Sequence, residues 1–165
     1  MRSPLLLMLL LISLAPSLLA QRKGASQKPE YVSPDGELVA AILPAGLKPR
    51  QGESRVEVRT RTGKILTKSD YSSEDGEHGY GVDDAVWTPD SKFFVYSLDN
   101  VGGHSPWHTP VQFFSREKNK IFSLDDLLND AISDPRFAVV APDKVTVRLC
   151  FKDRAQTISL SSLIR

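Results

Sequence analysis

A short turn motif recurs along this chain at nearly constant spacing, and it constrains the fold more than any other feature. Its copies are Ser33-Pro34-Asp35-Gly36, Thr88-Pro89-Asp90-Ser91 and Ala141-Pro142-Asp143-Lys144, so the prolines lie 55 and then 53 residues apart. Proline fixes the backbone for the second position of a β-turn, and aspartate suits the next position. Each copy is therefore expected to join two strands of a hairpin.

The segments around the turns repeat as well. Apolar runs follow the three turns at 38–43, 93–98 and 145–149, and similar segments recur at 56–61 and 111–116. A partial third copy predicts a last strand at 156–160. A fixed period near 50 residues is typical of repeat architectures. We therefore predict an all-β fold of antiparallel four-stranded meander repeats within a single domain, residues 30–165, with repeats at about 30–84, 85–136 and 137–165.

This pattern resembles the β-propeller repeats of the WD40-like and TolB-like kind, in which a Ser-Pro-Asp-Gly turn marks each blade. The resemblance covers roughly Glu30 to the C-terminus and implies propeller-like packing of the sheets. A closed propeller typically has 4–8 blades, whereas this chain offers two full repeats and part of a third. We therefore expect either an open, sandwich-like stack of sheets or a ring shared among several chains.

Hydrophobic patterning predicts which strands are buried. The wholly apolar runs that begin at Leu38 and Phe93 favour strands covered on both faces, while alternation from Val145 to Phe151 favours one buried face. The predicted core comprises Val39, Ile42, Val56, Val58, Val86, Phe93, Val95, Phe113, Ile121, Val145, Val147 and Leu149. One helix is predicted near Leu124 to Asp130, capped by Ser123, with Asp125, Asp126 and Asp130 interpreted as acids of a helix start.

The first twenty residues carry the pattern of a secretion signal peptide. Arg2 precedes a ten-residue apolar run from Leu5 to Leu14, and Pro16 and Ala20 follow it. Such a run is much shorter than the roughly 20 residues that a membrane-spanning helix needs. We therefore expect cleavage after Ala20, a flexible lead-in over residues 21–29, and a periplasmic or extracellular location.

The amino-acid composition narrows the classes of partner that this protein is expected to bind. Removal of Arg2 would leave 20 basic residues against 20 acidic ones, and this balance argues against nucleic acid and against polybasic membrane docking. No later segment is apolar enough to span a membrane. Cys150 is the only cysteine, so no internal disulfide can form, although two chains could be linked and a homo-oligomer is possible. The expected partner is a protein or a small-molecule ligand, with no cofactor.

The connections between strands differ in length, and this predicts where a site lies. In a meander, alternate connections lie at opposite ends, and the long ones here are residues 44–53, 69–84, 99–110 and 123–135. Long loops on a rigid sheet commonly carry binding residues. All three histidines fall in these loops, with a tyrosine and a tryptophan beside them. We predict one ligand-binding site formed by His78, Tyr80, His104, Trp107 and His108.

Two enzymatic alternatives use the same loops. A metal site would combine the histidines with Asp83 or Asp84, because imidazole and carboxylate are zinc ligands. A hydrolase would combine Ser105 with a histidine and Asp83, although Pro106 removes a backbone N–H from a possible oxyanion hole. Neither has a diagnostic motif such as HExxH or GxSxG. We therefore predict an exported, non-enzymatic binding or protein-interaction module; the alternative is a hydrolase or metal-dependent enzyme centred on His78, His104 and His108.

Overall fold

The computed structural model describes residues 29–46, 52–102, 107–152 and 154–165, which form three antiparallel sheets and two short helices. The first sheet contains β1 (Glu30–Val32), β2 (Leu38–Pro44), β3 (Ser54–Thr60) and β4 (Ile65–Asp70). The second contains β5 (Tyr80–Trp87), β6 (Phe93–Asn100), β7 (Val111–Ser115) and β8 (Lys120–Ser123). The third contains β9 (Ala138–Val140), β10 (Lys144–Leu149) and β11 (Arg154–Ser159). Helix α1 (Leu124–Leu128) follows β8, and α2 (Leu160–Leu163) follows β11.

Each sheet is a meander whose strands pair in chain order, as β1-β2-β3-β4, β5-β6-β7-β8 and β9-β10-β11. The all-β prediction is therefore confirmed, and the sheets fit a β-propeller-like arrangement that is not closed into a ring within the described residues. The third sheet has one strand fewer than each of the other two. β5 begins at Tyr80 and runs through position 84, where the sequence placed the boundary between the first two repeats.

The recurring turns are built in the same way in the first two sheets. The hydroxyls of Ser33 and Thr88 each accept a hydrogen bond at 3.0 Å from the N–H five residues later. Gly36 has a φ of +75°, and Ser91, at the same place in the second turn, has a φ of +61°. Ser91 adopts this conformation, which is uncommon for a non-glycine residue. Its hydroxyl accepts a hydrogen bond from the N–H of Asp35 at 3.0 Å.

Two apolar cores lie on opposite faces of the second sheet. One lies between the first and second sheets and is centred on Phe94, Tyr96 and Phe114. The other lies between the second and third sheets and includes Phe93 and Phe113. The run that begins at Phe93 is therefore covered on both faces, as predicted. Most of the predicted core residues are buried, and Ile121 is half-buried against the first core.

The outer faces of the stack carry polar side chains. On the first sheet Arg59 pairs with Glu30 at 2.6 Å, on the face that they share with Val39 and Ala41. On the third sheet the hydroxyls of Thr146 and Thr157 are 2.8 Å apart. Exposed apolar side chains share these outer faces, with Val32 and Ile65 on the first sheet and Val140 on the third.

Four sequence predictions need correction. Val86 was placed in the core but is 38% exposed, because its neighbours Ala85 and Trp87 take the face that packs on the first sheet. Phe151 was placed on a buried face but is 82% exposed, because β10 ends at Leu149. The predicted helix ends at Leu128 rather than Asp130, and Asn129 adopts a left-handed conformation as its C-cap. Leu160, predicted to end the last strand, instead begins α2.

Ser123 caps α1 as predicted, since its side chain accepts a hydrogen bond from the N–H of Asp126 at 3.2 Å. Over the stretch of chain for which the structure gives positions, none of the helices has the length and apolar character needed to cross a membrane.

Candidate functional site

Apart from the short connection between β10 and β11, the connections are sorted by length between the two ends of the stack. The tight turns at residues 33–37, 61–64, 88–92 and 116–119 form one end, here called the turn end, where the guanidinium of Arg116 pairs with Asp35 and Glu37. The long connections at residues 45–53, 71–79, 101–110 and 129–137 form the other, the long-loop end. There Val101 donates to the carbonyl of Gly79 at 3.1 Å.

A buried carboxylate organises the part of the long-loop end between the first and second sheets. Glu53 is 1% exposed, and its Oε1 accepts from the hydroxyl of Ser73 at 2.6 Å and from the N–H of Gly79 at 2.8 Å. A Cβ at Gly79 would overlap this carboxylate, so glycine is required there. The Ser73 hydroxyl lowers the pKa of Glu53, against an opposing effect of desolvation.

His78 lies in the loop that Glu53 supports, and its ring Nδ1 contacts the carboxylate of Asp75. Asp75 also accepts from the N–H of Glu77 at 2.9 Å and from the hydroxyl of Ser73 at 2.8 Å. These bonds, the Glu77 N–H first, hold the pKa of Asp75 well below its usual range. The imidazole is thus part of the hydrogen bonding that shapes its own loop.

His108 lies between the second and third sheets, next to a second buried carboxylate. Its Nε2 is 3.1 Å from Oδ1 of Asp125, on α1. Asp125 is 9% exposed and also accepts from the N–H groups of Val111 at 2.9 Å and Ile132 at 3.0 Å. One carboxylate therefore fixes the start of β7, the chain after α1 and the ring of His108.

A shallow cleft of about 300 Å³ opens beside this histidine. Its lining residues are His108, Asp125, Asp126, Asn129, Asp130, Ala131 and Phe151. Phe151 is 82% exposed, and Trp107, which directly precedes His108, is 62% exposed. Two large aromatic side chains near a polar cleft are a common basis for ligand recognition, because they offer flat apolar area at little entropic cost.

The five predicted site residues do not all have the same surroundings. Tyr80 is half-buried and packs against the first core. His108 lines the cleft and Trp107 directly precedes it without lining the cleft, whereas His78 is held by Asp75. His104 and Ser105 lie outside the described residues.

The predicted acidic partners lie elsewhere. Asp83 and Asp84 lie within β5, at a register shift between Val82 and Ala85, rather than in a loop. Asp84 accepts from the N–H of Ala85 at 2.8 Å. Among the residues with described positions, no group of three or more His, Cys, Asp or Glu side chains is placed to hold a metal ion.

Sequence reasoning missed three residues that build this end: Glu53, Asp125 and Phe151. Glu53 stands in an otherwise unremarkable loop, and Asp125 resembles its neighbour Asp126 in every sequence property. Phe151 continues an alternating apolar pattern, so only the end of β10 distinguishes it. The one available signal for Glu53 was the glycine-rich loop at 76–81, since glycine permits close approach of another group.

Comparisons with known proteins add little. No family model matches the chain, and no curated protein matches it. A solved structure described as puromycin hydrolase S511A mutant complexed with PGG is similar at 9% sequence identity with a TM-score of 0.28. The match covers 81% of this chain and 28% of that chain, so this chain spans well under a third of that protein.

Proposed function

We propose that this protein is an exported, non-enzymatic binding or protein-interaction module of WD40-like or TolB-like repeat type, acting in the periplasm or outside the cell. The secretion-signal pattern of residues 1–20 supports the location. The repeated Pro-Asp turns support the repeat type.

The observation that carries the binding proposal is the exposed ring of Phe151 in the lining of a polar cleft that also includes His108. Trp107 is 62% and Phe151 is 82% exposed, while Asp125 fixes the surrounding chain through three hydrogen bonds. A ligand that covers Phe151 would bury apolar area beside chain that Asp125 already holds, and so would lose little free energy to ordering. His108, Asp126 and Asn129 would supply its polar contacts.

The two tryptophans provide a direct test. Trp87 is 5% exposed and Trp107 is 62% exposed, so in a Trp87→Phe variant the fluorescence reports Trp107 alone. We expect compounds or peptides from a screened library that bind here to shift its emission to shorter wavelength. Phe151→Ala should weaken such binding by about 30-fold, the size of a lost aromatic anchor of about 2 kcal/mol.

Ile65→Ala is the matched control, because Ile65 is an apolar residue of similar size, 51% exposed, on the outer sheet face. It should leave affinity unchanged. Equal losses in the two variants, or unchanged affinity in Phe151→Ala, would count against the cleft as the binding site.

One observation favours a hydrolase as the second candidate. The pair formed by His108 and Asp125 at 3.1 Å supplies a general base with an orienting carboxylate, and Ser105 is three residues from His108 in sequence. An activated serine would react with a fluorophosphonate probe. Labelling that disappears in Ser105→Ala and in His108→Ala would favour the enzyme, whereas no labelling would favour the binding module.

A further inference from the structure

The third sheet leaves a strand position open that the other two sheets fill. β3 pairs with β4, and β7 pairs with β8, on the side away from the preceding strand. The corresponding strand of the third sheet is β11, which pairs with β10 alone among the described strands. After Ser159 the chain turns into α2, whose Leu160 packs into the second core instead of continuing beside β11.

The backbone of β11 presents hydrogen-bonding groups to this open side. Leu160 donates to the carbonyl of Asp143 at 3.0 Å, and this pair belongs to the same register as Ile158 with Val145. Since hydrogen-bonded pairs alternate along an antiparallel ladder, positions 154, 156 and 158 face β10. Ala155 and Thr157 therefore direct their N–H and C=O groups away from it.

β11 also lacks the features that protect the other edges. Natural proteins guard edge strands with charges, bulges or shortness. β4 carries Lys68 within it and has a register shift against β3; β5 carries Asp83 and Asp84 at its shift; and β1 and β9 have only 3 residues each. β11 has 6 residues in uninterrupted register and no charged residue after Arg154.

The surroundings indicate what fits there. In the second sheet, β8 occupies the place that a strand beyond β11 would take in the third. Its Phe122 is half-buried, stacks on Phe113 at 5.5 Å and faces the second core. One added strand would cover Phe122. A two-fold related copy would instead bring its own second sheet into the space of β8, so a single extended segment fits better than a second copy of this chain.

The charged residues of the third sheet indicate what charge the bound segment carries. The three strands of the third sheet carry Lys144, Arg148 and Arg154 and no acidic residue. We propose that the open edge of β11 binds an extended, acidic segment of a partner protein as a fourth antiparallel strand. Its apolar side chains face Phe122, and its carboxylates lie on the outer face of the sheet, which carries Lys144 and Arg148. Backbone hydrogen bonds give this mode of binding its affinity, and alternate side chains give it specificity.

Amide hydrogen exchange of the protein tests this with defined probes. The probes are a capped eight-residue peptide of alternating valine and glutamate and its valine–lysine counterpart. The N–H groups of Ala155 and Thr157 should exchange rapidly alone and about tenfold more slowly with the glutamate peptide. The lysine peptide should bind about tenfold more weakly. Protection of these two amides without peptide, or no protection at millimolar peptide, would overturn the proposal, as would equal binding of both peptides.

Proline variants distinguish the loss of binding at the β11 edge from a loss of folding stability. Ala155→Pro removes an outward N–H, which an edge strand tolerates, so its melting temperature should stay within a few degrees while binding of the glutamate peptide falls about tenfold. Ala155→Ser keeps the N–H and should bind normally. Gln156→Pro removes a ladder N–H and should lower stability sharply. Unchanged binding by Ala155→Pro would overturn the proposal. Equal destabilisation by both prolines would also overturn it, because the Ala155 N–H would then already be paired.

Discussion

The two ends of the sheet stack are held together by different kinds of contact. At the turn end, side chains bond to backbone within a few residues, as when Asp35 Oδ1 accepts the N–H of Glu37 at 3.1 Å. At the long-loop end, buried carboxylates join residues that are distant in sequence: Glu53 reaches Gly79, 26 positions away, and Asp125 reaches Val111, 14 positions away. The individual turns at the turn end are therefore encoded locally, and Ser91 and Arg116 only then join the turns of the first two sheets, whereas the long-loop end forms only when the sheets have come together.

This difference explains how long loops can support a binding surface. A loop of ten residues ordinarily has much conformational freedom, and ordering it on binding would cost free energy. Here a single buried carboxylate on each side of the second sheet satisfies several N–H groups at once. The exposed rings of Trp107 and Phe151 thus stand near chain that is already fixed.

The difference between the turn end and the long-loop end is tested most strongly by replacing Asp125. Asp125→Ala should lower the free energy of unfolding by about 2–4 kcal/mol, because the buried N–H groups of Val111 and Ile132 lose their acceptor. Urea unfolding measures this. Asp126→Ala, at an exposed neighbouring position on α1, is the control and should cost well under about 1 kcal/mol. Similar costs for the two variants would show that the long-loop end does not depend on this carboxylate.

Acid should lower the stability of both ends, with an effect of intermediate size among those predicted. The Ser33 hydroxyl, the Glu37 N–H and Arg116 lower the pKa of Asp35 to about 2, and the Ser73 hydroxyl lowers that of Glu53. A folded-state pKa below the unfolded value adds stability above the unfolded value, and this stability is lost as pH falls. The thermal midpoint should therefore fall as the pH is lowered from 5 to 3.

Two amide substitutions show which end of the sheet stack causes the loss of stability at low pH. Asp35→Asn removes the titrating group at the turn end and Glu53→Gln removes the one at the long-loop end, so each should have a flatter profile of thermal midpoint against pH than the unaltered protein. A profile that neither substitution flattens would mean that other carboxylates dominate the acid response.

The fold could be predicted largely because its determinants are local. The Pro-Asp turns and the apolar runs beside them identify hairpins without knowledge of distant contacts, and the run at Phe93–Leu98 correctly indicated a strand covered on both faces. The errors occur where burial depends on an edge. Val86 lies in an edge strand, and Phe151 lies just beyond the end of β10, so the alternation that predicted their burial had nothing to pack against.

The site could be predicted only in outline. Loop length and histidine placement indicated the long-loop end, where His78 and His108 do lie, since both are properties of the sequence. The partner of His108 could not be found in this way, because nothing distinguishes Asp125 from Asp126 until α1 directs one inward and the other outward. The interpretation of Asp125 as an acid of a helix start was incomplete for the same reason.

The smallest expected effect concerns an ion-pair cluster that joins two sheets at the turn end. Arg116, in the turn after β7, pairs with Asp35 and Glu37 in the turn between β1 and β2. Its side chain is 34% exposed, so water and salt screen the pairs, and Arg116→Ala should cost about 0.5–1 kcal/mol, less at 1 M salt. Arg136→Ala is the control, because Arg136 pairs with Asp134 only two residues away and joins no sheets; it should leave stability unchanged. If Arg116→Ala instead cost as much as Asp125→Ala, independently of salt, the turn end would also depend on long-range contacts, and the distinction between the two ends would fail.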